Sequence, residues 1–232
     1  MSRDSFSNLL VIVAGVVSAV IMSGQCRKPG RWLGRLIAKG MNQSHAPMTT
    51  WGLSHITVNK DFTILDVGCG GGKTVDTLAC LAPQGRVFGI DYSAGSVAAA
   101  RGTNAARIAD GRVAIQRGTV SHLPFAADTF DLVTASETHY YWPDLPRDVS
   151  EVQRVLKPGG TFIIIAEVYR GRNMDWLFRP AMAMLSARYL TLDQHRELLA
   201  QAGYTGVEVE AKPSKGWMIA KGTKPGDRVS QA

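Results

Sequence analysis

The chain has 232 residues, 45% hydrophobic and 19% charged, enough apolar material for one sizeable core; this excludes wholesale disorder and a small disulfide-stapled scaffold. The three cysteines, Cys26, Cys69 and Cys80, are odd in number and form no C-x-x-C pair, which argues against a disulfide framework or zinc ribbon and fits a reducing compartment. The formal net charge is +7, with Arg27, Lys28, Arg31, Arg35 and Lys39 crowded between Gln25 and Ser44 without an acid, a clustering that suits a juxtamembrane patch better than a nucleic-acid-binding face.

The first element is Leu9–Met22, LLVIVAGVVSAVIM, which carries no charge. Extended to Gly24 it would span about 24 Å as a helix, against a hydrocarbon core of about 30 Å. Three readings stay open: a membrane anchor, a helix that docks on the domain or a partner or is a dispensable over-extended start, and a cleaved signal that lacks an A-x-A site. The cations after it would hold the following domain on the cytoplasmic side. Segments 1–24, 25–41, 42–222 and 223–232 are expected as apolar segment, basic linker, main domain and flexible tail.

From Thr63 onward, strand-like runs alternate with helical stretches. Strands are predicted at Thr63–Val67, Arg86–Ile90, Arg112–Gln116, Phe130–Ala135 and Thr161–Val168, the last apolar enough to be buried on both faces. Helices are predicted at Thr74–Leu81, Ser93–Ala109 and Leu145–Leu156. The alternation argues for an α/β doubly wound, mostly parallel sheet with helices on both sides. Met174–Tyr189 then reads as a helix rich in Met, Leu and aromatics. Thr191 is the expected N-cap of Leu192–Ala202, and Val207–Ala211 and Gly216–Ala220 read as a final strand pair.

The most informative stretch is Ile64-Leu65-Asp66-Val67-Gly68-Cys69-Gly70-Gly71-Gly72-Lys73-Thr74. It is a strand, a glycine turn and a helix start, where backbone N–H groups can approach a ligand. A P-loop would need glycine at position 67, which is Val67. The strict dinucleotide fingerprint would need glycine at position 73, which is Lys73. What remains is an acid two residues before G-x-G, and a second acid, Asp91, closing the next strand. An acid at that tip suits a hydrogen bond to ribose hydroxyls.

ILDVGCGGG resembles motif I of class I S-adenosylmethionine-dependent methyltransferases. VFGIDYS, LPFAADTFDLVTA and RVLKPGGTF resemble their later motifs, in order and in register over Thr63–Val168. The likeness is to the UbiE-like, type 11 branch, which acts mostly on small molecules. It implies a seven-stranded Rossmann-like methyltransferase fold and S-adenosylmethionine as cofactor. By that resemblance, Asp66 and the backbone of Gly68, Cys69 and Gly70 would hold the amino acid part. Asp91 would bind the ribose and Tyr92 would pack on the adenine. Thr119 and Val120 would flank the ring, with Ala135 also in the cofactor site. Many relatives carry an acid where this chain has Thr119.

Methyl transfer needs positioning and a water-poor site, and a base only if the acceptor must lose a proton. Ser136-Glu137-Thr138-His139-Tyr140-Tyr141-Trp142 follows the fourth strand. His139 is the candidate base, because an ordinary imidazole titrates near neutrality; it could equally cap the next helix or pack on the cofactor. Glu137 could bind cofactor or orient His139. Tyr140, Tyr141 and Trp142 either wall an apolar pocket or belong to the core. His45, Trp51 and His55 lie where relatives fold a lid, and Met174–Tyr189 lies where they insert substrate-covering elements. No metal site is expected. The resulting expectation is methyl transfer to a small, apolar or aromatic acceptor. The alternatives are an RNA or other nucleic-acid methyltransferase and a non-enzymatic, cofactor-binding, membrane-associated protein. The sequence leaves the oligomeric state open.

Overall fold

A computed structural model of the chain describes residues 46–172, 175–184 and 186–226. The apolar run at 9–24, the basic linker at 25–41, Cys26, His45 and the tail from 227 onward lie outside the described residues. Among the described residues no helix is long and apolar enough to cross a membrane.

Seven strands form: β1 (Thr63–Val67), β2 (Arg86–Asp91), β3 (Val113–Arg117), β4 (Phe130–Ser136), β5 (Leu156–Ala166), β6 (Thr205–Lys212) and β7 (Trp217–Thr223). They make one sheet in the order β3-β2-β1-β4-β5-β7-β6. The first five run parallel. β7 is antiparallel to both β5 and β6, giving the expected terminal hairpin. The strand order reverses between β1 and β4, and the crevice at the carboxyl ends of those two strands is where open α/β sheets bind ligands.

The helices are α1 at residues 46–53, then α2 (Lys73–Leu81), α3 (Ala94–Thr103), α4 (Ala105–Ala109), α5 (Leu145–Val155), α6 (Asp175–Met184) and α7 (Leu192–Gln201), with a 3₁₀ turn at His139–Tyr141. Where one helix was expected over Ser93–Ala109, two form. Asn104 sits buried at the break, and its Nδ2 donates to Gly72 O (2.9 Å) and Ala100 O (3.0 Å). That side chain competes with the helix ladder for backbone partners, as short amides do, and pins the helix pair to the glycine turn. β5 starts at Leu156, earlier than expected, and takes in the Lys157-Pro158-Gly159-Gly160 turn with a register shift opposite Phe130/Leu132. α6 ends at Met184 and contains Pro180. α7 begins as expected: Thr191 Oγ1 accepts from Gln194 N (3.1 Å) while Gln194 Oε1 accepts from Thr191 N (3.0 Å), a reciprocal capping box.

The core has two parts, one on each face of the sheet. Successive β5 residues alternate between them, as strand geometry requires. Phe162, Ile164 and Ala166 join Val149 and Val152 of α5 and Leu198 and Leu199 of α7. Ile163 and Ile165 join Val75 and Leu78 of α2, Val97 of α3, and Met48 of α1. All five β5 residues are fully buried, and each large one contributes about 1.5–3 kcal/mol of burial free energy. α1 lies directly on β5: a Cβ at Gly52 would stand 2.6 Å from Ile165. Its Thr49 hydroxyl reaches Ser136 at the tip of β4, 3.2 Å away.

Candidate functional site

β1 delivers the chain into the turn 68–72, where Gly68, Gly70 and Gly72 all take positive φ. The N–H groups of Gly68 and Cys69 both donate to Ile90 O, at 2.7 and 3.0 Å, so the turn folds back across the end of β2. Two of the glycines differ instructively. A Cβ at Gly68 would lie 2.1 Å from Thr138 Oγ1, whereas a Cβ at Gly70 would meet nothing within 4 Å. The turn is therefore packed at its root and open at its tip, where a ligand can approach the backbone.

Asp91 closes β2 and ties the turn in place. Its Oδ2 accepts from Gly70 N (3.0 Å) and its Oδ1 from Ser93 N (2.8 Å). Burial pushes its carboxyl above the usual range, against those two backbone donors. Asp66, 2% exposed, sits one strand over. Its Oδ1 accepts from Thr134 Oγ1 at 2.6 Å. Burial raises its pKa to about 7, the Thr134 hydroxyl opposes that, and the neighbouring Asp91 charge adds to it. Two poorly solvated carboxylates thus converge behind an open glycine turn. Such a pair is stabilised by a ligand that brings positive charge or hydrogen-bond donors.

The loop after β3 reaches the same crevice. Gly118 N donates to Asp91 O (3.0 Å). Thr119 follows, exposed, with Oγ1 accepting from Ser121 N (3.3 Å); Val120 is buried. Tyr92, 41% exposed, stands on the other side of Asp91, its carbonyl held by Arg117 Nε (3.0 Å). Ala135 is fully buried within β4. The turn, the two acids and the Thr119–Val120 loop therefore meet at the carboxyl ends of β1, β2 and β3.

After β4, Glu137 has φ +58, unusual for a residue with a side chain and a feature that clusters at functional sites. Its Oε1 accepts from Glu167 N (2.6 Å) and from Tyr140 OH (3.0 Å). Burial, then the nearby Glu167 charge, raises its pKa to about 8.

His139 points away from solvent and is fully buried. Its Nε2 lies 3.0 Å from Nε2 of His195 on α7, and His195 Nδ1 lies 2.7 Å from Thr191 O. A carbonyl can only accept, so His195 carries its hydrogen on Nδ1 and accepts at Nε2; His139 must then donate from Nε2. The remaining His139 nitrogen, Nδ1, has no partner among the described residues. Burial holds both rings in the neutral form, with the His139 pKa well below the ordinary value and that of His195 lowered to about 4. Tyr140 and Trp142 are core residues, and Trp142 stacks on Phe162 at 6.2 Å. Trp51 and His55 pack toward the β6–β7 hairpin: Trp51 is 6.0 Å from the Trp217 ring and His55 Nε2 is 3.6 Å from Glu210.

Sequence reasoning missed Thr134 and His195. Both left a signal: Thr134 is a hydroxyl in the middle of the apolar strand β4, and His195 occupies the Leu198–Leu199 face of α7 at helical spacing.

A family model described as a methyltransferase domain matches residues 65–164. Over 103 residues the chain is 42% identical to a demethylmenaquinone methyltransferase of Symbiobacterium thermophilum, covering 44% of this chain and 41% of that protein. It is 32% identical over 164 residues to an uncharacterized methyltransferase of Synechocystis sp., covering 67% of this chain and 72% of the relative. In structure it is similar to the methyltransferase partner of the Haloferax volcanii Trm112 activator, with a TM-score of 0.71 at 23% identity over 81% of this chain and 93% of that one. The chain spans 41–48% of the length of the first curated relatives it matches. With the motifs in register on the expected sheet, the chain belongs to the class I S-adenosylmethionine-dependent methyltransferases.

Proposed function

We propose that the protein transfers a methyl group from S-adenosylmethionine to a small acceptor with an apolar or aromatic body. The observation that carries this reading is the hydrogen bond from Gly70 N to Asp91, which sets an open glycine turn beside a strand-tip carboxylate. When bound, the cofactor supplies an already activated methyl group. The residues present fit it: Asp66 and the turn 68–70 suit its amino acid end, Asp91 the ribose hydroxyls, and Tyr92, Thr119 and Val120 the adenine; Ala135, buried in β4, would take part through packing alone. The poorly solvated pair Asp66 and Asp91 favours a cationic ligand over an anionic nucleotide phosphate.

The chain's own part in the chemistry is positioning and exclusion of water. We assign Glu137 as the group that holds an acceptor proton, since a carboxyl titrating near 8 exchanges protons close to neutral pH. We assign His139 as a positioning residue that, through His195, fixes the turn carrying Glu137. An aromatic acceptor is supported by the relative named for demethylmenaquinone. The apolar run at 9–24 with its following cations supports a membrane-tethered enzyme with a cytoplasmic domain; full-length protein should then pellet with membranes and resist extraction by high salt.

The test is turnover of labelled S-adenosylmethionine against a panel of hydroquinones and phenols. Methylated product that disappears in D91A and falls sharply in E137Q supports the reading. Cofactor binding without turnover on any acceptor would leave a non-enzymatic role.

A further inference from the structure

A second concavity lies beside α6, in the segment between β5 and α7 that departs from the regular alternation. It is a cavity of about 580 Å³ lined by Arg170, Arg179 and Arg188, with Met182, Ala187 and Leu190 among its apolar walls and no carboxylate in its lining. A volume of that size suits a small organic molecule.

The charges are unevenly matched. Arg179 is engaged, with Nε and Nη2 donating to Asp175 Oδ2 at 3.0 and 2.8 Å. Asp175 is further used by Gly171 N and by the Tyr189 hydroxyl. Arg170 and Arg188 have no ion pair among the described residues, and both are exposed to the cavity's solvent. Three guanidinium groups against one carboxylate leave two positive charges over.

Backbone hydrogen bonds tie Arg188 to the turn after β4 and Arg170 to the cavity's own wall. Arg188 N donates to Tyr140 O (2.8 Å) and Arg170 N to Leu190 O (2.8 Å). Tyr140 is the residue whose hydroxyl donates to Glu137. The cavity therefore lies across Tyr140 from the Glu137 carboxylate.

We propose that this cavity binds the phosphate monoester of a small acceptor whose apolar body rests on Met182 and Leu190. Two uncompensated guanidinium forks match the roughly −1.5 to −2 charge and planar oxygen pairs of a phosphate monoester. The apolar walls take the rest of the molecule. That the bound molecule is the methyl acceptor rests on the methyl-transfer reading; the anion site itself does not.

The probe is phenyl phosphate, titrated calorimetrically into the full-length protein and compared with phenol and benzoate. S-adenosylhomocysteine binding is measured in the same preparations, so that loss of the cofactor reading and loss of this one are separately visible. Expected is binding of phenyl phosphate about tenfold or more tighter than phenol and tighter than benzoate, weakening as salt is raised. R170Q/R188Q should lose that advantage while keeping its affinity for S-adenosylhomocysteine. Phenyl phosphate binding no better than phenol or benzoate, or binding as tight in R170Q/R188Q as in the parent, overturns the proposal. Should R170Q/R188Q fail to fold, the comparison of the three ligands in the parent alone still decides it.

Discussion

The Nε2 atoms of His139 and His195 lie 3.0 Å apart inside the core. Because His195 Nδ1 is spent on Thr191 O, the hydrogen between the rings belongs to His139, and neither ring can take a second proton without placing a cation and an unmatched donor in an apolar setting.

A pH dependence of stability follows. The unfolded histidines titrate near 6.5, and the folded His195 near 4. A depressed folded pKa means that the pair's contribution is present above about pH 6.5 and is lost as pH falls toward 4. For His195 alone that is about 3 kcal/mol. Denaturant titrations of the parent and of H139L/H195L between pH 7.5 and 4.5 should diverge, the parent losing more stability toward acid. Parallel curves would show that the rings are not held neutral.

Glu137 works in the opposite sense. Its folded pKa, about 8, lies above the unfolded value, so its contribution is greatest below about pH 4 and declines as pH rises through 8. Carbon-detected NMR of the glutamate carboxyls should show one midpoint near 8 that vanishes in E137Q, and E137Q should be less sensitive than the parent to the step from pH 7 to 9.

The 2.6 Å bond from Thr134 to Asp66 is the main force opposing the burial of that carboxyl. T134V keeps the shape and removes the donor. It should raise the Asp66 pKa above 7 and destabilise the fold by about 1–3 kcal/mol at pH 8. The loss should shrink at pH 5.5, where the carboxyl is protonated. A loss that does not vary with pH would place the effect in packing alone.

Gly70 and Gly68 should separate ligand approach from folding. Alanine at Gly70 meets no atom within 4 Å and bears only the strain of its φ of +51, about 1–2 kcal/mol. Its Cβ occupies the open side of the turn, so G70A should weaken S-adenosylhomocysteine about tenfold while the protein stays folded. G68A would drive its Cβ to 2.1 Å from Thr138 Oγ1 and should lower the melting temperature markedly. Equal effects on binding and melting in both variants would contradict the distinction.

The parts of this structure readable in sequence are those governed by local pattern. The continuous apolar run of β5 implied burial on both faces, and Phe162 to Ala166 are fully buried although the strand starts earlier than expected; the glycine turn after β1 and Asp91 at the end of β2 formed where expected. Thr191 was legible as a cap because its partner Gln194 is three residues on. The break at Asn104 was not, since its cause is a hydrogen bond to Gly72, 32 residues earlier. For the same reason, the sequence left His139 open between a base and a packed or capping ring. The ring that buries and immobilises it, His195, lies 56 residues further along. The arginine cavity lies wholly within residues 170–194, but its walls come from β5's exit, α6 and the approach to α7, and linear pattern does not show that Arg170 and Arg188 line the same space.

The most direct measurement is calorimetric titration of the full-length protein with S-adenosylhomocysteine, for the parent and for D91A. The expected outcome is one site per chain in the parent and an affinity at least about tenfold weaker in D91A, for loss of the strand-tip carboxylate. No heat of binding in a folded parent, or equal affinity in D91A, would contradict the assignment of the turn between Val67 and Lys73 as a cofactor cradle.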